Sequence, residues 1–94
     1  MADMRTAARS DANQREIVEA LRRVGATVEV LSDVGRGVPD LLVGWRSVNY
    51  LLEVKASKGA LTETQTIWHT LWSGQVSVVR TVDEAFDAIG VTGQ

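Results

Sequence analysis

Cysteine is absent from the 94-residue chain, and this absence limits how the protein is stabilised and what it can bind. Without cysteine there is neither a disulfide framework nor a thiolate metal site. Stability must therefore come from the packing of a hydrophobic core, and any metal ion must be held by oxygen or nitrogen ligands. A chain of this length provides enough residues for one small domain with a single core.

The chain also lacks long apolar runs and an excess of basic residues, and both absences limit which partners it can bind. No apolar run approaches the length that spans a membrane, and residues 1–10 lack the apolar centre of a signal peptide. We therefore expect a cytoplasmic protein in which residues 1–10 form a flexible arm and residues 11–94 form a single domain. The chain also lacks a basic excess, because its formal net charge is -2. Any surface that binds nucleic acid must be local, and most of the basic residues are arginines, which pair with phosphate bidentately.

The first part of the chain predicts a helix followed by a strand. Over residues 11–24 the apolar side chains recur every three or four positions, which indicates an amphipathic helix. Ser10 or Asp11 can cap its start, and Gly25 can end it in a left-handed conformation. The β-branched residues that follow predict a strand over residues 27–31.

The centre of the chain predicts an antiparallel hairpin. Two runs rich in leucine and valine, over residues 37–44 and 50–55, are separated by a short polar turn. Pro39 lacks an N–H group and is therefore expected where its strand begins. A loop that contains glycine connects this hairpin to the preceding strand.

The remaining pattern completes an α/β fold. A helix is expected over residues 62–72, with Thr62 as its cap and Gly74 as its end. A fourth strand over residues 76–79 and a last helix capped by Thr81 follow. The order αβββαβα predicts a mixed four-stranded sheet flanked by helices.

The predicted hairpin brings three charged side chains to one face of the sheet. Glu53 and Lys55 are two residues apart on one strand and leave it on the same side, and Asp40 lies on the neighbouring run. Two carboxylates beside one ammonium group suit a divalent cation and a phosphate. The main-chain carbonyl of Val54 is a further candidate ligand. The alternative is an exposed pair of strand charges, with Asp40 as a turn residue.

Several short motifs resemble those of the PD-(D/E)XK nuclease superfamily. Gly37-Val38-Pro39-Asp40 and Glu53-Val54-Lys55 carry the resemblance, and it is strongest to the small VRR-NUC branch, including its stand-alone forms in phages and bacteria. The same branch is suggested by Asn13-Gln14-Arg15-Glu16, by Gly35-Arg36-Gly37, and by Leu61-Thr62 with Gln65, Trp68 and His69. The resemblance covers residues 11–85 and implies a restriction-endonuclease-like core.

What the resemblance implies is metal-dependent cleavage of DNA phosphodiester bonds with Mg²⁺ or Mn²⁺. Asp40 and Glu53 would hold the metal, and Lys55 would be the catalytic lysine. Related nucleases often place a glutamate of the first helix near the metal, where this chain has Gln14, so the number of metal ions stays open. Gln65 matches a polar helix position of the family and is expected to hydrogen-bond the lysine or a phosphate.

Four further polar residues are candidates for contact with DNA. Arg36 and Lys58 lie in loops that flank the central strands and are expected to hold backbone phosphates. Ser32 is a candidate for another phosphate contact, with a turn hydroxyl as the alternative. His69 follows Gln65 by one helical turn and is a candidate base or DNA-binding residue, with a structural histidine as the alternative.

Stand-alone members of the resembled branch look like Holliday-junction-resolving enzymes that act as homodimers. We therefore expect a structure-specific DNA endonuclease that works as a homodimer on branched DNA in a bacterial or phage-infected cell. A dimer would bury apolar area that so small a domain leaves exposed, and Trp68 and Trp72 are candidates for core or interface positions. Two alternatives remain, a flap or single-strand nuclease and a catalytically silent DNA-binding module of the same fold.

Overall fold

The computed structural model describes residues 4–92, with side chains from residue 11 onward. Its elements are α1 (Met4–Arg23), β1 (Thr27–Val30), β2 (Leu41–Trp45), β3 (Val48–Val54), α2 (Glu63–Leu71), β4 (Ser77–Val79) and α3 (Val82–Ile89). The predicted order αβββαβα is therefore confirmed. No helix in the described part of the chain combines the length and apolar character that crossing a membrane requires.

The four strands form one mixed sheet in the order β1-β2-β3-β4. β1 pairs with β2 and β2 with β3 in antiparallel register, whereas β3 and β4 are parallel. Parallel neighbours need a crossover connection, and α2 lies in that connection. The predicted α/β class with a mixed four-stranded sheet is confirmed.

The hydrophobic core lies between the sheet and two of the helices. α1 contacts α3, β1 and β3, and α3 also contacts β3 and β4. The largest fully buried apolar side chains are Ile17, Leu21, Leu41, Leu52 and Ile89. Side chains alternate along a strand, so Leu52 and Val54 face this core while Glu53 leaves β3 on the opposite face.

Helix α1 is longer than the sequence predicted. It begins at Met4, so residues 4–10 of the predicted flexible arm are helical, and residues 1–3 lie outside the described part. The intervening alanines, arginines and methionine favour a helix, whereas the prediction treated Ser10 and Asp11 as a starting cap. Gly25 follows the helix with φ of 102°, as expected for a left-handed end.

Helix α2 begins as predicted and ends differently. Thr62 is its N-cap, and its hydroxyl accepts a hydrogen bond from the Gln65 backbone N–H. The predicted end at Gly74 is wrong, because the C-cap is Trp72 in an extended conformation with its N–H bound to the Trp68 carbonyl. The two indoles stack at 4.7 Å between ring centroids, which holds Trp72 in place.

Three strands are shorter than predicted, and the first of them, β1, ends at Val30 rather than at Leu31. β2 begins at Leu41 rather than within residues 37–40, and β4 begins at Ser77 rather than at Val76. The missing N–H of Pro39 prevents main-chain pairing at the start of β2. The predicted cap Thr81 is confirmed, since its hydroxyl accepts a hydrogen bond from the Glu84 backbone N–H at the start of α3.

Candidate active site

Asp40 and Glu53 meet across two neighbouring strands. Leu41 of β2 pairs with Leu52 of β3, and the same register extended by one residue places Asp40 opposite Glu53. Cross-strand neighbours of this kind have their side chains on one face of the sheet. The carboxyl groups share a hydrogen bond on the face opposite to α1 and α3.

The position of Asp40 is fixed from both sides. Its carbonyl accepts a hydrogen bond from the Leu31 N–H at 2.7 Å, which ties it to the end of β1. Its Oδ2 accepts the Val54 N–H at 2.8 Å, which ties the side chain to β3. The carboxylate is therefore oriented by the backbone before any ligand binds.

Glu53 is buried without a cationic hydrogen-bond partner. Only 1% of its surface is exposed. Burial first, and then the hydrogen bond and negative charge of Asp40, raise the pKa of Glu53 to about 9, while the Lys55 ammonium group acts in the opposite direction. Around neutral pH this carboxyl therefore keeps its proton and shares it with Asp40.

His69 approaches the same carboxyl group from α2. Its Nε2 lies 3.8 Å from Glu53 Oε1, and 14% of its side chain is exposed. Burial and the Lys55 ammonium group lower the pKa of His69, and burial raises that of Glu53. Both groups are therefore neutral, and the short distance is a contact between uncharged groups rather than an ion pair.

Lys55 completes the predicted cluster. It follows Glu53 by two residues on the same face, and its charge influences the pKa of both Glu53 and His69. Its main chain is held on two sides, because its N–H bonds the Val79 carbonyl at 3.1 Å and its carbonyl accepts a hydrogen bond from Asn13 Nδ2 at 2.9 Å. The structure thus brings Asp40, Glu53 and Lys55 together.

Two residues that support the cluster were not predicted. Asn13 Nδ2 donates to the carbonyls of Lys55 and Arg80, at 2.9 Å each, and so joins α1 to the ends of β3 and β4. Arg80 Nη1 in turn donates to the carbonyls of Ala56 and Gly59 at 2.6 Å. Asn13 lies in a stretch of α1 that resembles the nuclease motif, but the sequence alone predicts no role for it. Arg80 carries no sequence feature beyond its place after an apolar strand.

The two predicted glutamines have local partners. Gln14 Nε2 lies 3.3 Å from the Ser32 hydroxyl, which also donates to Gln14 Oε1 at 3.4 Å, so these two site candidates contact each other. Gln65 Oε1 accepts the Thr62 backbone N–H at 3.0 Å and closes a capping box. Among the described residues no hydrogen bond joins Gln65 to Lys55.

The two loop cations lie in the segments before β2 and after β3. Arg36 is exposed, has φ of 57°, and borders a groove along α2 that Ile67, Trp68 and Leu71 also line. Lys58 is exposed in the turn that follows β3. Neither is engaged in an ion pair with a described residue, so both are accessible to an external anion.

The donor set suits a hard divalent cation. Asp40 and Glu53 offer carboxylate oxygens, and Glu53 Oε1 is buried without a hydrogen-bond partner. The register extended by two residues places Pro39 opposite Val54, so Pro39 has no N–H to offer the Val54 carbonyl. Within the described residues no group of three His, Asp or Glu side chains is preassembled as a metal site. The fit therefore depends on the carboxylate pair together with a main-chain oxygen.

Comparison with solved structures relates this arrangement to a nuclease fold. A structure described as a VRR_NUC domain shares 28% sequence identity with this chain and has a TM-score of 0.70, covering 87% of this chain and 95% of the other. No protein-family model and no curated protein matches the sequence. The shared architecture extends over nearly the whole domain. The chain therefore has the fold of that VRR_NUC domain over most of its length.

Proposed function

We propose that this domain is a metal-dependent endodeoxyribonuclease that hydrolyses phosphodiester bonds in branched DNA, in particular Holliday junctions, as a homodimer. The observation that carries the proposal is the pairing of Asp40 with the buried carboxyl group of Glu53, with Lys55 on the same face. A buried acid with a raised pKa costs stability, and such groups cluster at functional sites. Residues 11–94 are the proposed nuclease domain, acting in the cytoplasm of a bacterial or phage-infected cell.

The carboxyl pair is the proposed binding site for Mg²⁺ or Mn²⁺. Asp40, Glu53 and the Val54 carbonyl would hold the ion, and Gln14 is the proposed amide ligand from α1. When bound, the cation screens the phosphate and lowers the pKa of a coordinated water. Gln14 now contacts Ser32, so ligation would exchange that hydrogen bond for a metal contact.

Lys55 is the proposed catalytic lysine. Its ammonium group lies on the face of Glu53, where it would hold the attacking water and stabilise the negative charge that develops on the phosphate. Its backbone is anchored by Val79 and Asn13, which limits its movement. Gln65 Oε1 is occupied by Thr62, so the proposed contact of Gln65 with a phosphate uses its Nε2.

DNA contacts are proposed for the loops around the carboxyl pair. Ser32, Arg36 and Lys58 are exposed and would hold backbone phosphates without reading base sequence. Because the net charge is -2, favourable electrostatic attraction to DNA must come from local groups of cations rather than from the molecule as a whole. His69 was predicted as a fourth contact, but its ring faces Glu53.

The exposed face of α2 supports the proposed homodimer. None of the residues of α2 is buried, and this includes large apolar ones. Ile67 is 53% exposed and Leu71 76% exposed, and Trp72, which caps the end of the helix, is 45% exposed. Apolar side chains grouped in this way mark contact surfaces. A second copy of the chain would cover them and would present two cleavage sites to a branched substrate.

Cleavage of a panel of labelled DNA molecules tests the proposal. Four-way junctions, flaps, single strands and duplexes are incubated with the protein and Mg²⁺ or Mn²⁺. We expect the wild type to cut junctions, and Asp40→Asn and Lys55→Ala to lose ~100-fold or more of that activity. Asp33→Asn, which changes a carboxylate in an exposed loop, is the matched control and should retain cleavage.

The outcomes separate the candidate functions. Preferential cutting of flaps or single strands would replace the junction substrate and keep the chemistry. Full activity in Asp40→Asn or Lys55→Ala would refute the proposed mechanism. Binding of DNA without cleavage, together with no calorimetric heat from metal in either the wild type or Glu53→Gln, would identify a catalytically silent module.

A further inference from the structure

Two buried polar atoms face each other beside the carboxyl pair without a hydrogen-bond partner. They are Glu53 Oε1 and His69 Nε2, and in the described part of the chain they are the only buried side-chain nitrogen or oxygen atoms in this condition. Buried polar groups are almost always paired, and each unpaired one costs roughly 1–3 kcal/mol. That both atoms belong to one contact indicates a missing partner common to them.

Direct interaction between the two side chains does not satisfy them. Their separation of 3.8 Å exceeds the usual hydrogen-bond range of about 2.7–3.2 Å. A partner between them must therefore bind both a carboxylate oxygen and an imidazole nitrogen. A metal ion and a bridging water are the two candidates.

We propose that His69 Nε2 is a ligand of the cation held by Asp40 and Glu53. This inference rests on the proposed metal-dependent function and adds a nitrogen to its oxygen ligands. Bonds from one ion to a carboxylate oxygen and an imidazole nitrogen are about 2.0–2.2 Å each. Two such bonds together exceed the observed 3.8 Å, so a single ion can touch both atoms.

The fold holds His69 where this role requires it. Its helix is fixed at the start by the Thr62 and Gln65 capping box, and Gly37 allows the loop before β2 to approach α2 closely. Asp40 is already oriented by the Val54 N–H.

A nitrogen ligand changes which ions the site prefers. Imidazole favours transition metals such as Mn²⁺, Co²⁺ and Zn²⁺, whereas Mg²⁺ favours oxygen donors and water. His69→Ala should therefore weaken binding of Zn²⁺ and Co²⁺ by about tenfold or more and change the affinity for Mg²⁺ much less. Thr70→Ala, an exposed neighbour on the same helix, is the matched control and should leave every affinity unchanged.

His69 is the only histidine of the chain, so selective labelling reports on this residue alone. The untagged protein, labelled with ¹⁵N-histidine, is titrated with Zn²⁺ while the two ring-nitrogen signals are followed by NMR. We expect the Nε2 signal to shift to a metal-bound position in the wild type and to remain unchanged in Asp40→Asn. This wild-type measurement does not depend on whether His69→Ala folds.

The result that would overturn the role of His69 differs from the result that would overturn the proposed function. If Zn²⁺ binding depends on Asp40 but leaves the His69 ring signals unchanged, the partner is a water and His69 is not a ligand. The metal-dependent function then stands. If neither Zn²⁺ nor Mg²⁺ binding responds to Asp40→Asn, the proposed metal site fails, and with it the role of His69.

Discussion

At the scale of single residues, Glu53 is protonated near neutral pH in the metal-free protein, which is not the form that binds a metal ion. A metal ligand must be deprotonated, but burial beside Asp40 keeps the proton on Glu53 up to a pH of about 9. The unfolded chain would release that proton near pH 4.5, the ordinary value for this group. Ionisation therefore favours the unfolded state, and a bound cation would reverse this preference by replacing the proton.

The pH dependence of stability follows from this difference. Between pH 4.5 and about 9 the folded state binds more protons at Glu53 than the unfolded state, so stability falls as pH rises. His69, with its lowered pKa, has the opposite effect only at lower pH. We expect the metal-free wild type to lose up to about 1.4 kcal/mol of unfolding free energy per pH unit from pH 7 to 9. Denaturant unfolding with a chelator present measures this slope.

Glu53→Gln should remove most of that slope. The amide resembles the protonated acid and cannot ionise, so the variant should be more stable than the wild type at pH 8, on the order of 1–3 kcal/mol. Glu29→Gln, at an exposed position on β1, is the control and should keep the wild-type slope. A Glu53→Gln protein with an unchanged slope would show that Glu53 does not carry the proton.

Strand periodicity made the carboxyl pair and the lysine predictable from sequence. Glu53 and Lys55 share a face because side chains alternate along a strand, and Asp40 follows from the hairpin register. Asn13 and Arg80 were missed because their partners are backbone carbonyls, one of them 67 residues away, which no local pattern encodes. The capping role of Gln65 was local and visible in principle, but the functional resemblance led to a different expectation.

At the scale of elements, α2 has no buried face. It is held by the capping box at its start and by the close approach of the Gly37 loop to its backbone. A Cβ atom on Gly37 would lie 2.6 Å from the Thr64 carbonyl oxygen and 2.9 Å from Trp68 Cβ. Gly37 also has φ of 85°, which favours glycine. The loop before Asp40 and the helix that carries His69 are therefore positioned together.

Gly37→Ala should separate these two elements. The added methyl group must push α2 away from the loop, and with it His69 from Glu53. Gly35→Ala is a matched control, since φ is 74° there and no atom lies within 4 Å of the added Cβ. We expect Gly35→Ala to cost only the left-handed strain of about 1 kcal/mol, and Gly37→Ala to cost more and to weaken metal binding. Equal unfolding free energies for the two variants would contradict the close approach.

Asn13 joins α1 to the two parallel strands. Asn13→Ala leaves the carbonyls of Lys55 and Arg80 without their side-chain donor, which should lower the unfolding free energy by about 1–3 kcal/mol. Asn49→Ala, the only other asparagine in the chain and an exposed one, should change it by less than about 0.5 kcal/mol. Denaturant unfolding compares the two variants. A small effect at Asn13 would mean that water replaces the amide at both carbonyls.

Element boundaries were predicted where a cap is encoded locally and missed where packing decides. Thr62 and Thr81 were correct because a hydroxyl before a helix binds its own backbone N–H groups. The end of α2 was missed because stacking of Trp68 on Trp72 overrides the preference for glycine at a helix end. The start of α1 was missed because a possible cap at Ser10 does not require the helix to begin there.

At the scale of the whole molecule, the two faces of the sheet are covered unequally. One face carries α1 and α3 over the hydrophobic core, and the other carries the carboxyl pair and α2, none of whose residues is buried. Val78 of β4 is also 36% exposed on the α2 side of the sheet. In the proposed homodimer, a second copy of the chain would cover the apolar area that the monomer leaves exposed around its site.

Leu71→Asp tests the dimer without disturbing the core. Leu71 is 76% exposed, so a charge there should change the unfolding free energy of the monomer by less than about 0.5 kcal/mol while blocking an apolar interface. Sedimentation should show a dimer for the wild type and a monomer for Leu71→Asp, and paired incision of four-way junctions should be lost while metal binding is retained. Val34→Asp places the same charge at a residue that is 46% exposed in the loop before β2, and should remain dimeric. A wild type that sediments as a monomer at every concentration would leave α2 without this partner and would favour substrates that need a single incision.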